Sequence, residues 1–205
     1  MIIETLNIYE YDIETLKTGV SAERLEKANR YKFEEDILRS LSVEFLLNEM
    51  IKKNYPDYPI PVKLKYDDRE KPHLYDKEGI ESLYISLSHS GDLVACMLDT
   101  VPCGVDIEIH KEKIYTKIAK RICTEIEYQN IKSVRDFYHY WTLKESVLKA
   151  TGMGLSLDMK SFEITQENDM YTTIACGNKY TGQVISRLNR YPDGYTLSYM
   201  RKTDE

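Results

Sequence analysis

The chain has 205 residues, of which 42% are hydrophobic and 30% charged, a composition typical of a soluble globular protein with one domain or two small ones. The net charge of -6 excludes a general nucleic-acid binder, which needs a broad basic surface to displace counterions from phosphates. The longest apolar run, LVACML at residues 93–98, is too short to span a bilayer, so we expect a cytoplasmic protein without membrane contact.

The first part of the chain predicts a strand, then helices, then a second strand. Polar and apolar residues alternate over 2–13, which predicts the first strand. Ser21 is a good N-cap, and apolar residues at helical spacing follow it through 21–54, where we predict one or two helices. A proline-rich break then precedes a predicted strand over 62–68 and a loop over 69–82.

The rest of the chain predicts strands, helices and a closing set of strands. Residues 83–110 predict a short strand, a Ser-His-Ser-Gly turn and two strands whose continuous apolar runs favour central places in a sheet. Residues 111–131 predict helix, and 133–152 is the clearest helix, ended by Gly152. An antiparallel meander is predicted from four segments: 161–165, 171–178, 180–189 and 194–201.

Helices followed by antiparallel strands recur in both halves of the chain. This order favours an α+β protein made of two similar lobes, each a small antiparallel sheet packed with a long helix. We place the lobes at residues 1–103 and 104–205.

The stretch GVDIEIH, residues 104–110, alternates acids with aliphatic residues. Side chains alternate across a strand, so Asp106, Glu108 and His110 lie on one face. Same-face neighbours are roughly 7 Å apart, which lets two carboxylates converge on one cation. An ordinary amphipathic strand with one hydrated face shows the same pattern.

The helix predicted over 133–152 carries an acid on its apolar stripe. The stripe reaches Trp141 and then meets Glu145, with Lys149 one turn later on the same side. An unpaired inward carboxylate is costly, so Glu145 needs a cation. The pair Glu145 and Lys149 reads equally as a surface i,i+4 ion pair. Glu145 together with Asp106 and Glu108, however, offers three oxygen donors for a hard divalent cation, and Lys149 can bind a phosphate that shares the ion.

Other polar candidates are weaker singly. The turn SLSHSGD, with His89, can offer hydroxyl and backbone N–H groups to an anion, although a plain hairpin looks the same. Taken singly, Lys71, Arg24 and Lys27 are each more typical of hydrated surface charges.

In chain order, LSHSGD, GVDIEIH and FYHYWTLKESVLKATGMGL resemble the motifs of the surfactin-synthetase-activating type of 4'-phosphopantetheinyl transferase. That family has a Gly-x-Asp-x-Glu strand and then Trp-[Ser/Thr]-x-Lys-Glu-Ala-x-x-Lys-x-x-Gly-x-Gly. The resemblance covers nearly the whole chain, since ERLEKANRYKFEEDILRSL is similar to the family's N-terminal helix and REKPHL to its Gly-Lys-Pro loop. It implies a pseudo-twofold, single-chain, monomeric enzyme with its active site between the lobes.

The resemblance also implies roles for individual residues. Asp106, Glu108 and Glu145 are expected to bind Mg²⁺, and Lys149 the pyrophosphate of coenzyme A. The 3'-phosphoadenosine end is expected to fall to the N-terminal lobe, on these residues: Arg24, Lys27, Ser40, Lys71, Pro72, Ser88 and His89.

The chain departs from the family pattern at three positions. Glu70 replaces the glycine of the Gly-Lys-Pro loop, which puts a negative charge near an anionic ligand. Ser146 replaces the usual alanine, and Arg24 stands where a lysine is common. Arg and Lys both bind phosphate, with different geometry.

The implied reaction is attack by a serine hydroxyl of an apo acyl or peptidyl carrier protein on the β-phosphorus of coenzyme A. The serine needs a proton acceptor. Glu145, or a water that it holds, is the first candidate and Glu127 the second, with His110 a weaker one. The other functions considered are a coenzyme A-binding module without activity and a metal-dependent phosphohydrolase.

Carrier proteins are usually acidic, as this chain is, so the overall charges of the two oppose their encounter. We therefore expect an apolar docking surface within residues 111–135, with local basic residues at Lys117, Lys120 and Arg121.

Overall fold

The structure is a computed structural model that describes residues 1–111, 115–185 and 194–203. The chain divides into two compact units, Met1–Thr100 and Val101–Glu205. Each unit has its own cluster of buried apolar side chains.

The helices of the first unit follow the sequence signals closely. They are α1 (Ile13–Thr18), α2 (Ala22–Ala28) and α3 (Glu34–Asn54). The Ser21 side chain accepts a hydrogen bond from the backbone N–H of Arg24, as its N-cap position predicts. Two helices therefore occupy the predicted helical stretch, whereas the first strand ends at Asn7 instead of Ile13, the residue at which α1 begins.

The strands of the first unit form two antiparallel sheets. They are β1 (Ile2–Asn7), β2 (Leu64–Tyr66), β3 (Pro72–Leu74), β4 (Tyr84–Ser90) and β5 (Leu93–Asp99). The larger sheet has the order β1-β5-β4, and β2 pairs with β3. The side chains of β5 are all buried, as its continuous apolar run predicts, and α3 packs against this sheet.

Two sequence predictions in this region were wrong. The predicted loop over 69–82 contains β3, whose three residues carry too short a pattern to be recognised. The predicted Ser-His-Ser-Gly turn is instead the end of β4, because Ser88 pairs with Ala95 and His89 with Val94. The turn itself lies at Gly91 and Asp92.

The second unit contains the helix predicted most clearly. Its helices are α4 (Tyr115–Ile122), α5 (Glu125–Asn130) and α6 (Val134–Thr151). Ser133 caps the N-terminus of α6, and Gly152 ends it in the left-handed conformation with φ of 71°. Both ends of α6 are therefore as predicted.

The strands of the second unit form one antiparallel sheet. They are β6 (Cys103–Ile109), β7 (Thr165–Glu167), β8 (Met170–Ala175), β9 (Asn178–Ile185) and β10 (Tyr195–Thr203). The order β6-β10-β9-β8-β7 confirms the meander, although β7 begins later than predicted and 186–189 lies outside the described residues. In this order β6 comes first and pairs with β10, and its predicted central place in a sheet stays a prediction.

The architecture confirms the α+β class, since each unit combines an antiparallel sheet with helices. The pseudo-twofold relation between the units stays a prediction. No helix of the described residues is long and apolar enough to cross a membrane.

Candidate functional site

The acids of GVDIEIH lie on the face of β6 that packs against α6. A Cβ atom at Gly104 would overlap the backbone carbonyl oxygen of Ser146, so only glycine allows β6 to approach α6 this closely. Asp106 follows on the same face of β6 and is buried, whereas Val105 and Ile107 point to the opposite face and are also fully buried. Gly104 thus allows the carboxylate of Asp106 to lie close to the backbone of α6.

Lys149, in the last turn of α6, contacts this face directly. Its Nζ donates hydrogen bonds to Asp106 Oδ1 at 2.7 Å and to the backbone carbonyl of Val105 at 3.0 Å. The Lys149 side chain is 29% exposed and that of Asp106 is 7% exposed. The lysine therefore bridges α6 and β6 instead of serving only as an i,i+4 partner of Glu145.

Glu145 shares this environment. Burial is the largest cause that raises the pKa of Glu145, to about 7, and the carboxylate of Asp106 adds to it. Lys149 lowers this pKa by less, and Glu108 raises it further. Glu145 therefore interacts electrostatically with both acids of β6, as the sequence predicts.

The residue types here fit a divalent cation. The carboxylates of Asp106 and Glu108 both raise the pKa of Glu145, and the Lys149 ammonium contacts Asp106, so three oxygen-ligand side chains share one environment. Mg²⁺ prefers oxygen ligands of this kind and is usually bound by few carboxylates. In the described part of the chain, no group of three or more His, Cys, Asp or Glu side chains is already arranged around a common point as a metal site.

Polar residues that the sequence interpretation did not select hold α6 on the sheet. Thr142 Oγ1 lies 2.6 Å from Ser198 Oγ of β10, and Ser146 Oγ donates to the backbone carbonyl of Ser198 at 3.0 Å. All three side chains are fully buried. The serine at position 146 in place of the family's alanine thus gains a hydrogen bond. Only the one-turn spacing of Thr142 and Ser146 could have drawn attention to them.

The structure gives Glu127 a structural role, against its selection as a candidate base. Its carboxylate is 1% exposed and lies 2.9 Å from Lys144 Nζ, which is itself fully buried. It also accepts hydrogen bonds from the backbone N–H groups of Thr124 and Ile164. A carboxylate engaged in this way, away from solvent, is not available to take a proton from a substrate.

His110 is partly buried at the end of the acidic face. Its ring stacks on Tyr138 with centroids 4.8 Å apart, and Nε2 lies 2.8 Å from Thr196 Oγ1. Burial, and secondly the charge of Arg135, lowers the pKa of His110. These contacts support the low rank given to His110 as a base.

In the first unit, Arg24 lies in a buried ion pair. Its Nε donates to Glu44 Oε2 at 2.8 Å, and its Nη2 donates to Tyr66 at 3.2 Å. Both charged side chains are nearly inaccessible, at 7% and 4% exposure. Glu44 also accepts from the backbone N–H of Ser21. Arg24 therefore joins α2 to α3 and also lines the cavity beside this pair, and its expected binding of a phosphate stays a prediction.

A basic cavity of about 260 Å³ lies beside this ion pair. Lys27 lines it, as do Lys63, Lys65 and Tyr66, which the sequence interpretation did not select. Lys27 is exposed, and its Nζ lies 6.0 Å from the centre of the Tyr66 ring. The i,i+2 spacing of the two missed lysines was the available signal.

The other candidates of the first unit do not line this cavity. Ser40 is buried in α3, Ser88 is buried in β4, and His89 is exposed in the same strand. Lys71 is partly buried and precedes Pro72, the first residue of β3.

Glu70, in the turn between β2 and β3, adopts a backbone conformation typical of the glycine that it replaces. Its φ is 62°, the left-handed conformation that favours the glycine found in the family's loop. Its backbone N–H bonds to the carbonyl of Asp67, whose side chain accepts from the N–H of Lys71. The turn therefore keeps a glycine-like backbone.

The expected docking segment forms a groove in the second unit. A cavity of about 300 Å³ is lined by α4 and α5 residues that include Tyr115, Ala119 and Tyr128. Lys117, Lys120 and Arg121 are exposed on α4. Residues 112–114 of the predicted segment lie outside the described residues.

Comparisons with known proteins cover nearly the whole chain. The family model described as 4'-phosphopantetheinyl transferase superfamily matches residues 102–200, and that described as 4'-phosphopantetheinyl transferase, N-terminal matches residues 9–100.

Relatives of known name agree with this match. The 4'-phosphopantetheinyl transferase Sfp of Bacillus subtilis is 32% identical over 90% of this chain and 83% of its own length. The 4'-phosphopantetheinyl transferase psf-1 of Bacillus pumilus is 34% identical over 79% of this chain and 70% of its own. A holo-[acyl-carrier-protein] synthase structure from Thermotoga maritima aligns with 51% of this chain and 64% of its own, at 21% identity and a TM-score of 0.41. The chain therefore belongs to the 4'-phosphopantetheinyl transferase superfamily and is an enzyme of that class.

Proposed function

We propose that this enzyme transfers 4'-phosphopantetheine from coenzyme A to a serine hydroxyl of an apo acyl or peptidyl carrier protein, in an Mg²⁺-dependent reaction. The serine oxygen forms a bond to the β-phosphorus, and the bond from that phosphorus to the bridging oxygen breaks. Adenosine 3',5'-bisphosphate leaves with the bonding electron pair, and the serine proton passes to a base.

The observation that carries this proposal is the contact between β6 and α6. It brings Asp106, Glu108, Glu145 and Lys149 into one electrostatic environment, at the positions of the family's motifs. Such transfers depend on groups that stabilise charge on the phosphoryl oxygens and on the leaving group.

We assign the three carboxylates to Mg²⁺, which would supply a Lewis acid for the pyrophosphate oxygens. Lys149 would hold the same pyrophosphate through its ammonium. Glu145, directly or through a water that it holds, is our candidate for the proton acceptor. The arrangement of Glu127 leaves it out of this assignment, because both of its oxygens are engaged in the core.

For the 3'-phosphoadenosine end, we propose the first unit. The basic cavity beside α2 supports this, because Lys27 lines it together with Lys63 and Lys65. Phosphate groups bind well to such clustered ammonium groups. Ser40, Lys71, Pro72, Ser88 and His89 stay in the proposal on the resemblance alone, whereas Arg24 is assigned to its ion pair with Glu44.

For the carrier, we propose the groove between α4 and α5. Its lining mixes apolar residues such as Ala119 and Ile131 with polar ones, and it lies beside the exposed basic residues of α4, which suit an acidic partner. A monomeric state and a cytoplasmic location also remain proposals.

The test is a mass measurement on the carrier. Purified enzyme, coenzyme A and Mg²⁺ are mixed with apo-carriers from fatty-acid, polyketide and peptide synthesis, and each carrier is weighed. We expect a gain of one phosphopantetheine on at least one carrier, dependent on Mg²⁺. Asp106→Asn should abolish the gain, while Asp169→Asn, which changes an exposed acid between β7 and β8, should not.

Two results would contradict the proposal. The first is no gain on any carrier. The second is release of phosphate from coenzyme A without a carrier, which would indicate a phosphohydrolase.

A further inference from the structure

Lys149 is hydrogen-bonded to β6 at the proposed site, although it is also expected to bind the substrate. Lys149 is proposed to hold the pyrophosphate, yet its Nζ is 2.7 Å from Asp106 Oδ1 and 3.0 Å from the Val105 carbonyl. An ammonium has three N–H donors, and β6 accepts from two of them. In this position most of the ammonium's hydrogen-bonding capacity is used within the protein.

The same contact places a positive charge on an expected metal ligand. Asp106 is nearly inaccessible, at 7% exposure, so the Lys149 ammonium compensates its charge at close range. A divalent cation bound to this carboxylate would meet the ammonium as a like charge in a partly buried place, where repulsion is weakly screened. A divalent cation would therefore compete with the Lys149 ammonium for this carboxylate.

The position of Lys149 leaves room for its ammonium to move away from Asp106. It lies in the last turn of α6, and its side chain is 29% exposed, in contrast to the fully buried Lys144 of the same helix. Its four-carbon chain lets the ammonium travel several ångströms without any shift of the helix. The helix itself is held by Thr142 and Ser146, whose contacts with Ser198 do not involve Lys149.

We propose that Lys149 is a displaceable counter-ion of Asp106, which a divalent cation releases toward the substrate pyrophosphate. This inference rests on the metal site of the proposed function. It adds an order of events, in which the metal binds before the lysine becomes available to the pyrophosphate. Metal binding makes the lysine available, so metal and coenzyme A should bind with positive coupling. Without the metal, the lysine is held by β6.

The test measures the reactivity of the Lys149 amine in the full-length protein without coenzyme A. The protein is acetylated briefly with an N-hydroxysuccinimide ester, with and without Mg²⁺, and each lysine is quantified by peptide mass spectrometry. We expect Mg²⁺ to raise the acetylation rate of Lys149 by about tenfold, within the range typical of coupled sites. The exposed Lys179 of β9 provides the internal control and should not change.

A variant separates displacement from other effects. In Asp106→Asn the ammonium loses its ionic partner, so Lys149 should react fast without Mg²⁺ and show no response to it.

Mn²⁺ binding, followed by the electron paramagnetic resonance of the unbound ion, is measured in parallel. Lys149→Met should bind Mn²⁺ about tenfold more tightly than the native protein, and Lys179→Met should bind it equally.

The outcomes distinguish this inference from the proposed function. If the native protein binds Mn²⁺ but the reactivity of Lys149 is unchanged by Mg²⁺, displacement is wrong and the metal site stands. If the native protein binds no Mn²⁺, the metal site is wrong and the inference falls with it. The acetylation measurement uses native protein, so it decides the matter even if a variant does not fold.

Discussion

At the scale of single residues, the second unit contains two kinds of buried charged side chain. Glu127 and Lys144 are both nearly inaccessible and satisfy each other, with Lys144 also donating to the backbone carbonyls of Met159 and Phe162. Among the residues that the structure describes, Glu145 of the same helix as Lys144 has no comparable ion pair, and burial raises its pKa to about 7. The first arrangement is typical of a structural ion pair, whereas the shifted pKa of Glu145 is typical of a functional site.

Lys144→Met should destabilise the protein by about 3–5 kcal/mol, because it leaves the buried carboxylate of Glu127 without its counter-ion. The double variant Glu127→Gln with Lys144→Met should lose less than the two single variants together. Urea unfolding followed by circular dichroism measures both. The exposed Lys179→Met is the matched control and should change stability by at most about 0.5 kcal/mol. An unchanged unfolding midpoint for Lys144→Met would show that the pair is not holding the core.

The raised pKa of Glu145 predicts a pH dependence of stability in a chelating buffer. The folded protein binds the Glu145 proton more tightly than the unfolded chain, whose pKa is near 4.5. Stability should therefore rise as the pH falls from about 8 to about 4.5, by on the order of 2 kcal/mol after allowance for partial exposure. Glu145→Gln should remove this part of the pH dependence. The same slope in both proteins, by urea unfolding at a series of pH values, would argue against a shifted Glu145.

At the scale of elements, the site depends on how closely β6 lies to α6. Gly104 leaves no room for a side chain against the backbone of Ser146, and the small polar residues of α6 and β10 form the adjoining contact. The approach is set by backbone atoms, so a larger residue cannot be accommodated by a rotamer change.

Gly104→Ala should therefore cost about 3 kcal/mol or more and weaken Mn²⁺ binding, since the added methyl group forces β6 away from α6. The control is Gly177→Ala, where the added methyl group meets open space but φ is 73°. That change should cost about 1 kcal/mol from backbone strain alone and leave Mn²⁺ binding intact. Equal losses of Mn²⁺ binding in both variants would contradict the role of this approach.

At the scale of the whole molecule, net charge and local charge act in opposite directions. The chain carries a net charge of -6, whereas Lys117, Lys120 and Arg121 lie exposed together on α4. At the proposed docking surface, an acidic carrier would therefore be repelled by the net charge and attracted by α4, which would favour one docking orientation over others.

Replacing Lys117, Lys120 and Arg121 together by glutamine should raise the KM for the carrier several-fold, roughly 0.5–1 kcal/mol of lost binding, because α4 no longer attracts acidic side chains. The dissociation constant of coenzyme A, measured by calorimetry, should stay unchanged. Lys179→Gln, far along the sequence on β9, is the control for general charge effects. Equal weakening of carrier and coenzyme A would contradict docking at α4.

The sequence alone determined the features that depend on few neighbouring residues. The bounds of α6 follow from Ser133, Gly152 and the apolar period between them, and the meander follows from its turns. Spacing and the family motif together identified the candidate residues for the metal and the pyrophosphate, which are Asp106, Glu108, Glu145 and Lys149.

Only the tertiary structure decided which charges are buried and with whom they pair. Arg24 meets Glu44, Glu127 meets Lys144 and Lys149 meets Asp106, and in each case the partner comes from another element. The pairing of β6 with β10, from the far end of the chain, is likewise a tertiary contact that no local pattern reports. Local patterns report which side of an element is apolar, but the free energy of a buried charge depends on the partner that the fold supplies.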